Sequence, residues 1–371
     1  MSEQRVVIYG GGMAGAMLAK RLSADLDVTL VDPHDYFEVP MAAPRNLVDG
    51  GAAMQAIVPF SQALPRVRHV HGALVELTSA GGVVKSDSGT RTGVDGTVQV
   101  LATGSRYANS LMRAPTGTAP ERMAFYQRFR ERLAASQRIL IIGGGPIGIE
   151  VAGEITQEYP SKSVTIVEAG ERVLGGTSRK MADHATAVLE KRGVRIFTGE
   201  RLKGAGSASG DVFAPGGEAH TESGRVLPYD LAIWCVGGRP NTDYMEQYFA
   251  HVLDHDRRIQ VTPQLRVKGY DRLFALGDIT DLAENKMAWH VAGQVDCAAI
   301  NVRRVLAGRT SADQLQSYRP QTGNPAMVVT LGRRAGVICL PRIGMVKAGW
   351  FNRKVKAAHM LVPKYRKLLG V

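Results

Sequence analysis

The feature that most constrains the fold is a glycine-rich motif that occurs twice, at residues 10–15 and 143–148. Each copy has the spacing Gly-x-Gly-x-x-Gly, follows a short apolar run typical of a buried strand, and opens a stretch of helical composition. The next apolar run ends in an acid, Asp32 after the first copy and Glu168 after the second. In such a unit the glycines let a pyrophosphate approach a helix N-terminus, and the acid accepts hydrogen bonds from a ribose. Two complete copies predict an α/β fold with two Rossmann-type domains.

Composition places the chain among ordinary folded proteins. Of its 371 residues 44% are hydrophobic and 22% are charged, which excludes a disordered chain. No apolar run reaches the roughly 18 residues of a membrane span. The cysteines at positions 235, 297 and 339 have neither disulfide nor metal-ligand spacing. We therefore expect no metal, a reduced cytoplasmic protein, and a core role for Cys235.

Charge is distributed unevenly along the chain. The formal net charge is +12, yet residues 1–313 hold 35 basic and 34 acidic groups, and the other eleven Lys and Arg follow Asp313, the last acid. In residues 345–354 and 360–369 these basic residues are mixed with aromatic and aliphatic ones, which suits an anionic membrane surface. Two interpretations stand: peripheral contact with the inner face of a membrane, or the solvated basic surface of an ordinary domain.

A further motif narrows the class of protein. Residues 273–278 read Leu-Phe-Ala-Leu-Gly-Asp, and the Lys-Met-Ala of residues 286–288 opens a long predicted helix. With the glycine motifs, these residues resemble the two-dinucleotide flavoprotein reductases that share the glutathione-reductase fold. Residues 44–48 and 101–105 add to this resemblance, and by them the chain is most similar to the ferroptosis-suppressor branch of the apoptosis-inducing-factor family. Type-II NADH dehydrogenases are the neighbouring branch.

The resemblance implies a two-dinucleotide-binding-domain flavoprotein with a small C-terminal α+β domain. It implies FAD on the first unit, NADH or NADPH on the second, and electron transfer to a quinone such as ubiquinone or menaquinone without proton pumping. The implied domains are residues 1–110 and 241–315 for FAD, 111–240 for NAD(H), and a basic domain at 316–371. A homodimer is left open.

The resemblance also assigns residues to the cofactors. In the family the aspartate of the Gly-Asp pair holds the flavin ribityl chain, and the next helix points its N-terminus at the pyrimidine edge, where its dipole stabilises the charge of reduced flavin. The implied FAD contacts are Gly10, Gly11, Gly12, Met13, Ala14, Gly15, Asp32, Arg45, Leu74, Ala102, Thr103, Gly104, Asp278, Lys286, Met287 and Ala288. The implied NAD(H) contacts are Gly143, Gly145, Pro146, Ile147, Gly148, Glu150, Glu168 and Gly237.

Three of the residues are implied in the reaction itself. Glu150 follows the second glycine motif and is expected to position the nicotinamide for hydride transfer, whereas Glu154 is expected to be structural. Lys286 flanks the pyrimidine edge of the flavin. His290 shares a helix face with Gln294 and would offer a donor to a quinone, although a structural histidine is the commoner role for a lone His.

The identity of the nucleotide follows from the second acid. Glu168 favours a free 2′-hydroxyl and repels a 2′-phosphate, so we expect NADH over NADPH. Arg172 lies close by in the sequence and would pair with a phosphate, which makes the expected preference modest.

The region after Asp32 distinguishes the quinone reductases from other enzymes of this fold. Disulfide reductases carry a cysteine pair there, and peroxide and CoA-disulfide reductases carry one cysteine. Residues 36–45 contain none, so we exclude a thiol relay. A ferredoxin or rubredoxin reductase with an acidic partner on the basic C-terminal face stays open as an alternative. A nucleic-acid or signalling partner is a third, but no nucleic-acid motif is present and we expect no nucleic acid.

Overall fold

The computed structural model describes residues 4–107, 110–204, 211–322, 327–340, 344–346 and 356–371. The first part of the chain forms β1 (Arg5–Tyr9), α1 (Met13–Leu22), β2 (Asp27–Asp32), β3 (Tyr36–Glu38), α2 (Ala43–Asn46), α3 (Gly50–Ala56), β4 (Ile57–Pro59), α4 (Phe60–Ala63), β5 (Arg68–His71), β6 (Ala73–Thr78), β7 (Gly81–Lys85), β8 (Arg91–Val94), β9 (Val98–Leu101) and β10 (Ser105–Arg106). The middle part forms α5 (Ala119–Ala135), β11 (Arg138–Ile142), α6 (Pro146–Glu158), β12 (Ser163–Glu168), α7 (Arg179–Glu190), β13 (Arg195–Thr198), β14 (Gly217–His220), β15 (Val226–Tyr229), β16 (Leu231–Trp234) and β17 (Arg239–Pro240). The last part forms β18 (Leu273–Ala275), α8 (Ala288–Leu306), β19 (Met327–Thr330), β20 (Gly336–Leu340), β21 (Gly344–Val346) and α9 (Val362–Leu369).

The first glycine motif joins β1 to α1 at the centre of a five-stranded parallel sheet, in the order β18-β9-β1-β2-β5. The apolar residues of β1 are fully buried, as expected for a parallel strand that is covered on both faces. The antiparallel meander β6-β7-β8 and the hairpin β3-β4 accompany this sheet. Because β18 comes from late in the sequence, the chain returns to the first unit after completing the second.

The second glycine motif joins β11 to α6 in a parallel sheet of order β13-β12-β11-β16. The two units are connected where β10 pairs antiparallel with β17, Ser105 opposite Pro240 and Arg106 opposite Arg239. This ribbon lies close to the predicted domain boundaries at residues 110 and 240. We retain the predicted division into domains as a proposal.

The described C-terminal residues divide between the two cores. The antiparallel sheet β19-β20-β21 packs against α6 and α7, and Val329, Leu331 and Val337 join the apolar core of the second unit. In contrast, α9 packs against α1, and Tyr365 and Leu369 join the core of the first unit. The C-terminal part therefore holds the two units together.

This packing limits how residues 360–369 could contact a membrane, and that contact stays a prediction. Leu368 is exposed, but the other apolar side chains expected to enter a membrane are core residues. These are Met360, Val362, Tyr365 and Leu369, with Leu361 half-buried. Most of the other stretch, residues 347–354, lies outside the described residues. Within the described ranges no helix has the length and apolar character needed to cross a membrane.

Candidate cofactor and active site

The first glycine loop excludes side chains and so leaves its backbone accessible. Gly10 has φ +103°, and a Cβ there would lie 2.4 Å from the carbonyl oxygen of Ala102. A Cβ on Gly15 would lie 1.7 Å from the carbonyl oxygen of Gly10. Gly12 is the N-cap of α1 and Met13 its first residue, so the helix N-terminus opens onto the loop.

Asp32 lies buried beneath this loop, and several donors hold its carboxylate. It accepts hydrogen bonds from the Gly11 N–H (2.5 Å), the His34 N–H (2.9 Å) and Arg113 Nη2 (3.0 Å), and His34 Nδ1 lies 2.7 Å away. Burial alone would raise the pKa of Asp32, but the Arg113 charge and the His34 hydrogen bond lower it to about 2. Arg113 Nη1 also lies 3.0 Å from a Cβ placed on Gly12, so a cation covers the loop.

The Gly-Asp motif packs directly against the first loop. A Cβ on Gly277, whose φ is +79°, would lie 3.5 Å from the Cβ of Ala14. Asp278 Oδ2 accepts a hydrogen bond from Ser105 Oγ (3.1 Å), and its carbonyl oxygen accepts one from Arg258. The structure thus brings together two motifs that lie far apart in the sequence.

The turn after β9 is tied to the segment that returns from the second unit. Thr103 Oγ1 donates to the Asn241 carbonyl (2.7 Å), and the Asn241 N–H donates to the Gly104 carbonyl (2.9 Å). Leu74 is half-buried in β6 and packs against the first core. Contact of Leu74 with the adenine stays a prediction.

The N-terminus of α8 follows the Gly-Asp turn. Met287 is its N-cap and Ala288 its first residue. Lys286 Nζ donates to the Leu282 carbonyl (2.8 Å), and burial, followed by the positive charge of Arg258, lowers the pKa of Lys286. Beside it opens a cleft of about 490 Å³. The cleft is lined by Asp254, Asp256, Arg258, Asp281, Leu282, Ala283, Glu284, Asn285, Lys286, Gln321 and Thr322.

His290 and Gln294 share a face of α8, as predicted, but they have different surroundings. Gln294 Oε1 accepts from the Gly277 N–H (2.7 Å) and its Nε2 donates to Glu284 Oε1 (2.8 Å), so Gln294 supports the Gly-Asp turn rather than facing an acceptor. His290 is buried, and its Nδ1 has no hydrogen-bond partner among the described residues.

The second glycine loop repeats the first. Gly143 has φ +105°, and a Cβ on Gly148 would lie 2.0 Å from the Gly143 carbonyl oxygen. Gly145 is the N-cap of α6, and no described atom lies within 4 Å of a Cβ placed on Gly145 or on Gly237, which follows β16. Pro146 and Ile147 are the first two residues of α6.

Glu168 ends β12 with its carboxylate held by the backbone. The Gly144 N–H donates to Oε2 (2.6 Å) and the Gly170 N–H donates to Oε1 (2.6 Å). The Arg172 side chain binds the following loop rather than Glu168, because its Nη2 donates to the carbonyls of Gly175 (3.1 Å) and Thr177 (2.8 Å). The contact of Glu168 with a ribose stays a prediction, whereas the arginine stabilises the following loop.

Glu150 is buried where the second unit meets the C-terminal part. Its Oε1 accepts hydrogen bonds from the Thr330 N–H (2.8 Å), Thr330 Oγ1 (3.1 Å) and Lys356 Nζ (2.5 Å). Glu150 therefore fixes the chain segment that enters α9. Its predicted contact with the nicotinamide stays a prediction.

One helical turn on, Glu154 forms a second buried ion pair. Arg45 donates through Nε (2.8 Å) and Nη2 (2.7 Å) to its carboxylate, and also to the carbonyls of Ala357 and Ala358. Burial raises the pKa of Glu154 despite the opposing charge of Arg45. Glu154 is thus structural, as predicted, whereas the expected contact of Arg45 with the flavin stays a prediction.

Several residues of the site were not found by sequence reasoning. They are His34, Arg113, Glu284, Tyr318 and Lys356. His34 follows Asp32 by two residues in the sequence. The fold brings the other four to the loops and helix termini.

The chain can now be compared with known proteins. The model of a family described as "Pyridine nucleotide-disulphide oxidoreductase" matches residues 4–295. The chain belongs to this family. A relative, apoptosis-inducing factor homolog B of Dictyostelium discoideum, is 26% identical over 98% of this chain and 96% of its own. Ferroptosis suppressor protein 1 of Taeniopygia guttata is 27% identical over 90% of this chain and 87% of its own. The sulfide:quinone oxidoreductase of Aquifex aeolicus has a TM-score of 0.69 at 15% identity, over 98% of this chain and 90% of its own.

Membership of this family confirms the fold class and the resemblance expected from the sequence. The protein is an oxidoreductase whose cofactors are FAD and NAD(P)H. Its residues fit both groups, because each glycine loop forms a cradle that a Cβ would fill and each loop is backed by an acid at the end of the next strand.

Proposed function

We propose that this protein transfers a hydride from NADH to FAD and two electrons onward to a quinone such as ubiquinone or menaquinone, without pumping protons. The observation that carries the proposal is the state of the cysteines. All three are buried free thiols, and burial raises the pKa of Cys235 to about 12 and that of Cys297 to about 11. Disulfide exchange needs a thiolate, so the disulfide chemistry of the family lacks its nucleophile here. The remaining possibility is an acceptor that takes electrons directly from the flavin. The similarity in fold to a sulfide:quinone oxidoreductase supports a quinone as that acceptor.

FAD, when bound, supplies the chemistry by taking up a hydride and releasing two electrons; the protein binds and orients. Asp32 and Arg113 would hold the ribose and pyrophosphate at the N-terminus of α1, and Asp278 the ribityl chain. The N-terminus of α8 would stabilise negative charge at the pyrimidine edge, assisted by Lys286.

On the nucleotide side, we propose that the N-terminus of α6 and Glu150 act on the nicotinamide end. Hydride transfer requires the reacting atoms to be about 3–3.5 Å apart, so rigid positioning is the main contribution expected from the protein. The hydrogen bonds from Thr330 and Lys356 keep Glu150 in one place. We infer that Glu150, held in this way, aligns the nicotinamide with the flavin.

NADH is the proposed donor because the carboxylate of Glu168 would accept both ribose hydroxyls and repel a 2′-phosphate. The loop contacts of Arg172 remove the cation that would have softened this preference.

We propose that the enzyme acts in the cytoplasm at the inner face of the membrane, because the proposed acceptor is soluble in lipid. Because its apolar residues are buried, α9 would contribute only its basic residues, Lys364, Arg366 and Lys367, to that contact. Binding to vesicles containing an anionic lipid should then fall steeply between low and physiological salt.

The proposal is tested by stopped-flow measurements on the purified yellow protein. NADH should bleach the flavin rapidly and a soluble ubiquinone or menaquinone analogue should restore its colour, whereas NADPH should reduce it more slowly. If NADH reduces the flavin but neither quinone reoxidises it, the quinone proposal is wrong, and an acidic electron-transfer protein becomes the acceptor to try.

A further inference from the structure

We propose that Arg333 is a positioning residue for hydride transfer, because it holds α6, the helix of the second glycine loop, against α3 of the first unit. The proposal rests on the hydride transfer from NADH to FAD proposed above and does not involve the quinone. It starts from a polar stripe on α6 that neither glycine motif explains.

One face of α6 is polar although protein covers it. Its members are Glu150, Gly153, Glu154 and Gln157, which stand at positions i, i+3, i+4 and i+7 and so share one side of the helix. The first three are buried and Gln157 is half-buried. A helix that packs on an ordinary core presents an apolar stripe. The polar stripe therefore indicates that specific contacts fix α6 on this side.

Segments from outside the second sheet make these contacts. The C-terminal part binds Glu150 through Thr330 and Lys356, and Arg45 of α2 binds Glu154. The helix whose N-terminus would hold the nucleotide is thus fixed by the C-terminal part and by the first unit together.

The turn between β19 and β20 lies directly on this stripe. A Cβ on Gly153 would lie 2.6 Å from the Cα of Leu331 and 2.8 Å from the nitrogen of Gly332. A glycine inside a helix lowers stability relative to alanine, so its presence in α6 fits the close approach of this turn. The turn is therefore seated at one place along the helix.

Arg333 belongs to the turn and binds both units. Its N–H donates to Gln157 Oε1 of α6 (2.8 Å), and its Nη2 donates to Asp49 Oδ2 (2.5 Å). Asp49 is the N-cap of α3, and its Oδ1 accepts the Ala52 N–H (3.0 Å). Burial would raise the pKa of Asp49, but the hydrogen bonds from Ala52 and Arg333 lower it, so the pair is charged at neutral pH. One residue thus ties the C-terminal end of α6 to the start of α3.

This contact acts on the end of α6 that lies away from the glycine loop. Gln157 is about 16 Å along the helix from Pro146, at 1.5 Å per residue. Because a helix is stiff over that length, a tilt at Gln157 moves the helix N-terminus relative to the first unit. The hydride carries two electrons from a nicotinamide held by one unit to a flavin held by the other, so its path depends on how the units are held. A misplacement of about 1 Å can slow such a step about 100-fold.

Arg333 is also the contact that can be removed without loss of the fold. The side chains of Arg333 and Asp49 are 42% and 25% exposed, whereas those of Arg45 and Glu154 are 2% and 1% exposed. An exposed ion pair contributes little to stability, while removal of one partner from a buried pair leaves an uncompensated charge. The Arg333 pair therefore separates an effect on position from an effect on folding.

The test follows flavin reduction by NADH in stopped-flow experiments on the FAD-loaded variants R333M, D49N and R333K. D49N keeps an oxygen that caps α3, since asparagine caps a helix as well as aspartate does. We expect the limiting rate at saturating NADH to fall about five- to tenfold in R333M and D49N, with the Kd for NADH unchanged within about twofold. R333K, which keeps the positive charge, should recover part of the rate. The control R334M removes the neighbouring exposed guanidinium and should behave as the wild type.

The double variant R333M/D49N shows whether the two residues act as a pair. If their contact is what holds α6, the double variant should reduce flavin no more slowly than R333M alone. Slowing that adds between the two substitutions, or equal slowing in R334M, would overturn the proposal. Urea unfolding of every variant supplies the check on folding, because a rate loss that follows lost stability would mean a structural role only.

A second readout measures the relation of the two units without turnover. Spin labels would be attached to cysteines at two exposed positions, S88C in the first unit and E190C in the second, since the native cysteines are buried. The distribution of distances between the labels should be broader in R333M than in the wild type and R334M, and an equal width would overturn the proposal. If NADH fails to reduce the flavin even in the wild type, the proposed function is wrong. A broader distribution would still support the contact in that case, and an unchanged one would refute it.

Discussion

The two glycine loops of this protein have the same backbone. Gly10 and Gly143 have φ values of +103° and +105°. The N–H of each donates to the carbonyl oxygen of the residue before the acid, Val31 at 2.7 Å and Val167 at 2.8 Å. In each loop the residue after the first motif glycine donates its N–H to the acid: Gly11 to Asp32 at 2.5 Å, and Gly144 to Glu168 at 2.6 Å. The geometry that would receive a pyrophosphate is therefore the same in both units.

The surroundings of the two loops differ. Asp32 is 1% exposed and paired with Arg113, and the same arginine covers Gly12. Glu168 is half-buried and held by backbone N–H groups, and the matching Gly145 has no described atom within 4 Å of its Cβ position. An enclosed, charged site suits a cofactor that stays bound, and an open one suits a co-substrate that must leave after every turnover. We infer that the loop supplies the binding of the pyrophosphate, and that the residues around the loop govern how long the nucleotide stays bound.

The largest effect is expected from closing the loops with a methyl group. In G148A the new Cβ would lie 2.0 Å from a carbonyl oxygen, so the second loop must distort. We expect retained FAD but at least about a 100-fold loss in kcat/KM for NADH, equivalent to about 3 kcal/mol. In G15A, where the clash is at 1.7 Å, we expect loss of FAD itself.

The control for both variants is G176A, whose Cβ would meet no described atom within 4 Å. Flavin absorbance after gel filtration and steady-state kinetics give the comparison. A G148A protein that loses FAD and NADH activity together would show that the two loops are not independent.

The two acids should differ in their contribution to folding. D32N leaves Arg113 and His34 beside a neutral amide, so we expect a loss of about 2–4 kcal/mol in the free energy of unfolding, against less than about 1 kcal/mol for E168Q. The wild-type contribution has a defined pH dependence. Because the pKa of Asp32 is lowered from 3.8 to about 2, its stabilisation is present above pH 3.8 and is lost as the pH falls towards 2.

Urea unfolding followed by circular dichroism, at pH 7 and at intervals from pH 5 to pH 2.5, measures both effects. The difference between wild type and D32N should shrink as the pH falls. A constant difference across this range would mean that the charge of Asp32 is not what stabilises the loop.

The open site at the second loop should be the one whose preference for NADH over NADPH is easily changed. E168A removes the charge that repels a 2′-phosphate, so the ratio of kcat/KM for NADPH to that for NADH should rise about tenfold. The neighbouring exposed acid provides a control in E171Q, which should keep the wild-type ratio. An equal rise in both variants would indicate a long-range charge effect rather than contact with the ribose.

The smallest effect is expected at Arg172. Since its guanidinium binds the Gly175 and Thr177 carbonyls, R172Q should change the NADPH-to-NADH ratio by less than about twofold and lower stability by about 1 kcal/mol. A selective loss of NADPH activity in R172Q would show that this side chain turns towards the nucleotide when it binds.

Sequence reasoning was most successful where the determinants are local. The strand, glycine turn, helix and terminal acid of each unit follow one another within a few dozen residues, and the structure has all of them in place. The bringing together of the Gly-Asp motif and the first loop was implied by the family resemblance rather than by the residues themselves. The role of Gln294 was missed, because a polar residue on a helix face does not show whether its partner is substrate or backbone.

The C-terminal part shows where sequence reasoning reached its limit. Its mixture of basic and apolar residues fits a membrane surface and a core-packed helix equally well. The structure shows that Tyr365 and Leu369 are buried in the core of the first unit, and this burial depends on a surface that α1 provides.

By itself the sequence determined the two glycine loops and the acids that follow them, because steric limits on glycine and the order of apolar runs act over short stretches of chain. Only the tertiary structure decided which charges meet. Arg45 and Glu154 are 109 residues apart, and Glu150 and Lys356 are 206 apart. The partners of buried charges depend on how whole units pack, since each charge must find its counterion wherever water is excluded.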